Sequence, residues 1–145
     1  MSKALIVYST RSGQTKKIGE LIAESLRIKG IDAKIVDVKS IKNEVDLVGY
    51  DAYLLGSATY HGDIMQPMKT FLFMAEKADL QGKVGGSFGA FGWSGEAPER
   101  IYGTMENIYK MNMVGGPLML KSSTLGGGIN MAHDYGKEIA EKMGI

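Results

Sequence analysis

Short apolar runs alternate along the chain with longer segments in which apolar residues recur every three or four positions. The runs predict five β-strands, at about residues 4–8, 32–38, 52–56, 83–91 and 118–122. The second run alternates apolar and polar residues, which predicts a less buried strand near an edge of its sheet. Regular alternation of strands and helices is typical of a parallel sheet with helices on both faces, so we predict an α/β fold.

Apolar stripes with helical spacing at residues 18–26, 68–75, 101–109 and 132–143 predict four helices, and the first helical pattern begins near Thr15. Gly30 stands where the first helix is expected to end. Asp63 is a possible cap for the second helix, Pro67 fits its first turn, and Pro98 stands near the start of the third. We expect the methionines and aromatic residues of these stripes to pack in the core rather than to bind a cofactor.

The fourth predicted strand and the loop after it are rich in glycine, with glycines at positions 86, 89, 92 and 95. Glycine within a strand often marks a place where another part of the backbone or a ligand comes close. We therefore expect this strand and loop to be pressed against neighbouring backbone or against a ligand.

The chain has 145 residues, which suits one domain over residues 1–145. No segment approaches the roughly 20 apolar residues of a membrane span, and the amino end does not resemble a secretion signal, so a cytoplasmic location is expected. Seventeen basic and 16 acidic residues leave a net charge of +1. This balance gives no electrostatic footprint for nucleic acid or for an anionic membrane.

The chain has no cysteine, which excludes disulfides, cysteine nucleophiles, and iron–sulfur or zinc sites that need thiolates. Its two histidines, His61 and His133, do not have the spacing of usual metal ligands, so no metal is expected. Any redox chemistry must then come from a bound organic cofactor.

Three loops follow the predicted strands at the edge where open parallel sheets bind ligands, and they span residues 9–15, 57–63 and 92–96. The first loop leads directly into a helix, whose free N–H groups and dipole favour an anion. Gly13 lets the backbone come close, and hydroxyl donors are supplied by Ser9, Thr10, Ser12 and Thr15. The loop contains no lysine of the kind that meets a nucleoside triphosphate. These features predict a phosphate site.

The two later loops add Tyr60 and the single tryptophan, Trp93, as planar surfaces for a fused aromatic ring. A ligand with both a phosphate and an aromatic ring system fits this combination. The motifs G-x-x-x-x-G-K-S/T and G-x-G-x-x-G are both absent from the sequence, which argues against an NTPase and against a dinucleotide dehydrogenase.

The chain resembles the flavodoxin family, in particular its short-chain members. The sequence TRSGQT at residues 10–15 matches the family's phosphate loop, S/T-x-S/T-G-x-T. The sequence GSATY at residues 56–60 is similar to the family's G-S-P-T-Y loop, with alanine in place of proline. The sequence FGWSGEA at residues 91–97 resembles the flavodoxin-like domain of flavodiiron proteins, although their metal-binding domain has no counterpart here.

This resemblance implies a flavodoxin-like three-layer sandwich, with a five-stranded parallel sheet of order 2-1-3-4-5, and FMN as the cofactor. It assigns the phosphate to the first loop, that is to Ser9, Thr10, Ser12, Gly13, Gln14 and Thr15, while Arg11 either reaches the phosphate or points into solvent. It assigns the edge and one face of the isoalloxazine to Ala58, Thr59, Tyr60, His61 and Gly62. The other face falls to Ala90, Phe91, Gly92, Trp93 and Gly95. Which aromatic residue stacks on which face is left open.

The resemblance also implies a function, which is transfer of single electrons between redox partner proteins while FMN passes between its oxidised, semiquinone and hydroquinone forms. No residue is then catalytic, and the protein is expected to be a monomer or a weak homodimer. Gly62 is the expected hinge for a backbone carbonyl that turns toward the flavin, from His61 or from Gly62 itself. His61 is either an exposed loop residue or a group that titrates beside the flavin.

Two alternatives remain open at this point. One is an FMN-dependent oxidoreductase, either a quinone reductase or a flavodoxin-type protoporphyrinogen oxidase, which the sequence of residues 8–15 also resembles. The other is a receiver or binding module with the same strand order and no flavin. A receiver needs an acidic cluster after its first strand and an aspartate after its third, and residues 4–9 and 56–59 supply neither.

Overall fold

The computed structural model describes residues 2–91, 96–121 and 127–145. Its strands are β1 (Lys3–Ser9), β2 (Asp32–Asp37), β3 (Ala52–Ser57), β4 (Thr59–Tyr60), β5 (Asp63–Ile64), β6 (Val84–Ala90), β7 (Asn112–Met113) and β8 (Leu118–Leu120). Its α-helices are α1 (Gln14–Ile28), α2 (Gln66–Ala75), α3 (Glu96–Asn107) and α4 (Gly128–Lys142). Two short 3₁₀ turns, Val38–Ser40 and Glu44–Leu47, follow β2.

The main sheet is parallel and has the order β2-β1-β3-β6, with both β7 and β8 paired to β6 on its far side. The predicted α/β fold is therefore confirmed, and the predicted order 2-1-3-4-5 is confirmed in outline. The carboxyl ends of these strands meet at one edge of the sheet, where Ser9 of β1 lies beside Ser57 of β3. Ala90 of β6 lies beside Leu120 of β8 at the same edge.

The fifth position of the sheet differs from the prediction because two short strands share it. Residues 114–117 separate β7 from β8, and Pro117 has no N–H group with which to continue a ladder. Side chains anchor this segment, since the Tyr102 hydroxyl donates to the Val114 carbonyl and the Tyr135 hydroxyl donates to the Gly116 carbonyl. The Val114 amide still donates to the Gly85 carbonyl of β6 (3.1 Å). The predicted fifth strand also ends earlier, at Leu120, and Ser122 lies outside the described residues.

Two apolar clusters cover the two faces of the sheet. One contains side chains of α1 and α4, and the other contains side chains of α2 and α3. Successive residues of β1 alternate between them, so Ile6 belongs to the first cluster and Leu5 to the second. Met68 and Met105 have no exposed surface, which confirms that the methionines of the predicted stripes pack in the core.

The first helix begins at Gln14, beside the predicted start near Thr15, but one proposed cap is wrong. Met65, not Asp63, precedes the first residue of α2 and makes no side-chain capping bond there, although Pro67 does lie in the first turn. Asp63 is instead part of β5, where it forms ion pairs with Lys69 and Arg100. The loop predicted over residues 57–63 contains the β4–β5 hairpin, whose two-residue strands are too short for a periodicity to reveal.

The glycines of β6 lie where neighbouring groups come close, as the sequence predicted. A Cβ atom at Gly89 would stand 2.2 Å from the Ser57 carbonyl oxygen, and one at Gly86 would stand 2.9 Å from the Tyr135 hydroxyl. Gly92 and Gly95 lie outside the described residues. The absent side chain at Gly89 thus lets β6, β3 and α3 meet below the carboxyl edge.

Within the described parts of the chain, we find no helix with the length and apolar character needed to cross a membrane.

The first prediction concerns Tyr135, whose hydroxyl accepts a hydrogen bond from the Ser87 amide (3.1 Å) and donates one to the Gly116 carbonyl (2.9 Å). Tyr135→Phe leaves a buried amide without its partner, so we expect the free energy of unfolding in urea to fall by about 1–3 kcal/mol. Tyr50→Phe is the matched control, since the described residues give that hydroxyl no hydrogen bond, and it should change stability by less than about 0.5 kcal/mol. Equal losses in the two variants would contradict the role given to the Tyr135 hydroxyl.

The second prediction concerns alkaline pH. Burial raises the pKa of the Tyr109 and Tyr135 hydroxyls above the usual value. The unfolded chain releases these protons near pH 10 while the folded chain keeps them, so stability is full below about pH 10 and declines as pH rises further. Urea midpoints measured from pH 8 to pH 11 should show this decline, and its slope should be shallower in Tyr135→Phe. An unchanged slope in that variant would argue against the contribution of Tyr135.

Candidate functional site

The Thr10 side chain closes the loop between β1 and α1. The Gly13 amide donates to Thr10 Oγ1 (3.0 Å), and Gly13 itself adopts a left-handed conformation with φ of 89°. The first hydrogen bond along α1 joins the Lys17 amide to the Gly13 carbonyl (3.1 Å). The amides that precede Lys17 therefore lack an i−4 carbonyl and surround the amino end of the helix. This arrangement favours an anion at the start of α1.

Thr15 joins the start of α1 to the end of β6. Its side chain is fully buried, and its Oγ1 atom accepts a hydrogen bond from the Ala90 amide (3.3 Å). A hydroxyl that accepts one hydrogen bond still has its own proton to donate. Thr15 can therefore hold the strand end and donate to a ligand at the same time.

The hairpin after β3 has a tight turn made by His61 and Gly62, which have φ values of 50° and 71°. Positive φ at both central residues identifies a type I′ turn, the form that matches the twist of the flanking strands. Tyr60 and His61 contact each other edge to face, with their ring centroids 4.2 Å apart. Tyr60 remains 44% exposed, so the hairpin carries an aromatic ring at the surface.

Arg11, which the sequence left either at the phosphate or in solvent, is exposed and lies against the hairpin. Its guanidinium carbon lies 4.2 Å from the centroid of the Tyr60 ring, where the cation meets the negative face of the aromatic system. This contact joins the phosphate loop to the hairpin. It also covers a face of Tyr60, which is therefore not fully open to another ring.

A cleft of about 490 Å³ lies between these loops at the carboxyl edge of the sheet, and the described residues that line it are Arg11, Ser12, Gln14, Thr15, Ala58, Thr59, Ala90, Phe91 and Lys121. Eight of the predicted site residues thus line one cleft. Thr10, Gly13, Tyr60, His61 and Gly62 stand in the same loops without lining the cleft, and Ser9 directs its hydroxyl to the Met65 sulfur (3.6 Å). The predicted residues Gly92, Trp93 and Gly95 lie outside the described residues.

Sequence reasoning missed Lys121, which follows β8 at the carboxyl edge. The rule that ligands bind beyond the ends of parallel strands would have found it. The signal is weak because β8 has only three residues and is separated from β7, and the apolar run predicts a strand that continues to Ser122, past Lys121.

The cleft is electrostatically positive. Arg11 and Lys121 are its ionisable lining residues among the described part of the chain, and the neighbouring residues 92–95 and 122–126 have no ionisable side chains in the sequence. The nearby carboxylate of Asp63 is compensated, because its hydrogen bond with Lys69 lowers its pKa and Arg100 lies 3.1 Å away. A negatively charged ligand is therefore favoured.

Polar residues at the end of β3 fix the helices around the cleft. Thr59 Oγ1 accepts a hydrogen bond from the Ala97 amide in the first turn of α3 (3.1 Å). Ser57 Oγ accepts one from the Met65 amide, just before α2 (3.2 Å). The same short segment thus positions two helix starts and supplies the wall of the cleft.

Comparison with known proteins identifies the class of this fold. A family model described as the flavodoxin domain matches residues 5–113. Rubredoxin-oxygen oxidoreductase of Megalodesulfovibrio gigas is 33% identical over 101 residues, which are 66% of this chain and 25% of that protein. A flavodoxin of Aquifex aeolicus is 37% identical over 101 residues, which are 66% of this chain and 54% of that protein. The solved structure of a flavodoxin from the domain Archaea has a TM-score of 0.89 and 29% identity, and the match covers 99% of both chains.

The chain belongs to the flavodoxin domain family. Its match spans about half the length of the Aquifex flavodoxin and a quarter of the length of the oxidoreductase. The family resemblance drawn from the sequence motifs is therefore confirmed.

Flavodoxins and flavodoxin-like domains bind FMN, and the residues of the cleft fit this cofactor. The amino end of α1 and the hydroxyls of Ser12 and Thr15 suit a phosphate. Lys121 and Arg11 add positive charge to the lining of the cleft. The small side chains of Ala58 and Ala90 leave room for a planar ring, and Phe91 offers it an apolar contact.

The third prediction tests the close contact below the cleft. Gly89→Ala would place a Cβ atom 2.2 Å from the Ser57 carbonyl oxygen and 2.8 Å from Pro98 Cγ, so β3 or β6 must move. We expect a loss of about 1–3 kcal/mol in the free energy of unfolding, measured by urea titration.

Gly103→Ala in α3 is the matched control, because the nearest atom to its Cβ would be Asn107 Nδ2 at 3.9 Å. It should stabilise the protein by up to about 1 kcal/mol, since alanine favours a helix. If Gly89→Ala were as stable as Gly103→Ala, the close approach of Ser57 would not restrict this site.

Proposed function

We propose that this protein binds FMN in the cleft at the carboxyl edge of its sheet and carries single electrons between redox partner proteins. The observation that carries the proposal is the positive cleft that opens from the amino end of α1 in a chain of the flavodoxin family. FMN, when bound, supplies the redox chemistry, and the protein orients it and adjusts its surroundings.

The phosphate end of the cofactor is assigned to the start of α1. Ser12 and Thr15 donate through their hydroxyls, and the helix amides and Gln14 complete the anion site. Thr10 acts indirectly, because its Oγ1 atom holds the Gly13 amide and so sets the shape of the loop. These roles follow from the position of each residue in the cleft.

The ring end is assigned to the loops after β3 and β6. Ala58, Thr59, Ala90 and Phe91 line this part of the cleft. Tyr60, His61 and Gly62 form the hairpin at its border, and the contact between Arg11 and Tyr60 holds that hairpin against the phosphate loop. Gly92, Trp93 and Gly95 remain predicted ligands of the second face.

The position of the cleft supports a carrier rather than an enzyme with its own substrate. It lies at the protein surface, and the hairpin beside it keeps Tyr60 and His61 exposed. A partner protein can therefore approach the edge of a ring held there. Flavodoxins in general transfer electrons to redox partner proteins.

The proposal is tested by purifying the protein and measuring its flavin content and its turnover. We expect one FMN per chain, and catalysis of electron transfer only when a donor protein and an acceptor protein are both added. A chain that binds no FMN would be a binding module of the same fold. Rapid oxidation of NAD(P)H with a quinone, or oxidation of protoporphyrinogen, would instead identify an FMN-dependent oxidoreductase.

The fourth prediction concerns Thr15, which is proposed to donate to the phosphate. Thr15→Val keeps the shape of the side chain and removes the hydroxyl, so we expect FMN to bind about tenfold more weakly, measured by quenching of flavin fluorescence. Thr15→Ser keeps the hydroxyl and should bind FMN within about threefold of the original chain. Thr15→Val also removes the hydrogen bond that Thr15 accepts from the Ala90 amide. Urea titration of both variants therefore measures how much stability that loss costs, separately from FMN affinity. Equal FMN affinity in both variants would contradict the assigned role.

A further inference from the structure

Lys121 stands at the point where β8 ends beside the cleft. β8 pairs with β6 so that Leu120 lies beside Ala90, and the Phe91 amide donates to the Leu120 carbonyl (3.0 Å). The next residue along the chain, Lys121, lines the cleft together with Ala90 and Phe91. Its backbone position is therefore set by strand pairing on the residue that immediately precedes it.

The end of β6, which pairs with β8, also contacts the amino end of α1. The Ala90 amide donates to Thr15 Oγ1, so the first turn of α1 and the end of β8 both contact the end of β6 at one residue. Adjacent strands lie about 4.8 Å apart, and a lysine side chain reaches farther than this. Lys121 can thus place its ammonium group at the anion site of α1, although it is 106 residues away from Thr15 in the chain.

The other cation of the cleft is already engaged. The guanidinium group of Arg11 lies over the ring of Tyr60, at the border of the cleft. Among the described residues, no carboxylate forms an ion pair with Lys121, and the residues that line the cleft with it include no acid. Lys121 is therefore the cation of the cleft that no ion pair or ring contact holds within the described part of the chain.

We infer that Lys121 binds the phosphate group of the cofactor, and supplies from the end of β8 the lysine that the loop over residues 9–15 lacks. The inference rests on the proposed function, because it takes FMN as the ligand. A charge-assisted hydrogen bond from an ammonium group to a phosphate oxygen is stronger than a bond between neutral groups. Lys121 would then favour phosphorylated flavin over riboflavin, and would favour the phosphate dianion over the monoanion.

The experiment compares FMN with riboflavin, which has the same ring and no phosphate. Dissociation constants of both are measured by fluorescence quenching on the full chain after removal of bound flavin. In Lys121→Gln we expect FMN to bind on the order of tenfold more weakly and riboflavin to change by less than about twofold. Lys121→Arg, which keeps the charge, should recover most of the FMN affinity.

Lys83→Gln is the matched control. Lys83 is an exposed lysine that immediately precedes β6 at the opposite edge of the same sheet, so its loss changes the net charge equally without touching the cleft. It should leave both dissociation constants unchanged.

A second readout uses the ionisation of the ligand. The second pKa of a phosphate monoester lies near 6, so FMN affinity should rise between pH 5 and pH 7.5 as the dianion forms. The rise should be smaller in Lys121→Gln than in the original chain. Added NaCl should weaken FMN binding more in the original chain than in the variant, because salt screens the charge of Lys121.

The outcomes separate this inference from the proposed function. If the original chain bound no FMN, the proposed function would fail and the inference would fail with it. If FMN bound at one per chain but Lys121→Gln behaved like Lys83→Gln, only the inference would be overturned. It would also be overturned if Lys121→Gln weakened both ligands equally, or if the loss specific to FMN appeared in Arg11→Gln and not in Lys121→Gln.

Discussion

The hydrogen bond from the Ala90 amide to the Thr15 hydroxyl is the contact on which the site depends. It joins the amino end of α1 to the carboxyl end of β6, two parts of the chain separated by 75 residues. It adds a directional bond to the apolar packing of α1 on β6, where Ile18 and Phe88 belong to the same buried cluster. Ala90 also lies beside Leu120 of β8, so the start of α1 and the ends of β6 and β8 meet at this residue.

Much of the fold follows from periodicity. Long helices such as α1 and buried strands such as β1 carry enough apolar residues to be predicted, since each packs one regular face. The phosphate loop is predictable for a different reason. Gly13 and its hydroxyl neighbours stand between a strand and a helix, and this arrangement is typical of an anion site at the start of the helix. The Gly89 contact was likewise indicated by the lack of a side chain in a strand.

The features that sequence reasoning missed depend on contacts between distant residues. The stacking of Arg11 on Tyr60 joins two loops, and neither residue reveals its partner by spacing. The ion pairs of Asp63 with Lys69 and Arg100 explain why this residue does not cap α2, yet they are made across separate elements. The predicted fifth strand runs to Ser122 and so includes Lys121, which the structure places after the end of β8 at Leu120.

The fifth position of the main sheet is divided between β7 and β8, which pair with opposite ends of β6. β7 pairs with β6 at the end remote from the cleft, and β8 pairs with it at the cleft. The hydroxyls of Tyr102 and Tyr135 anchor the segment between them. The strand beside the binding site, β8, is therefore separate from the strand at the opposite edge of the sheet, β7. The residue after β8 lines the cleft, whereas the pairing of β7 involves the first two residues of β6, so this part of the wall can vary in sequence without changing a residue of the β7 pairing.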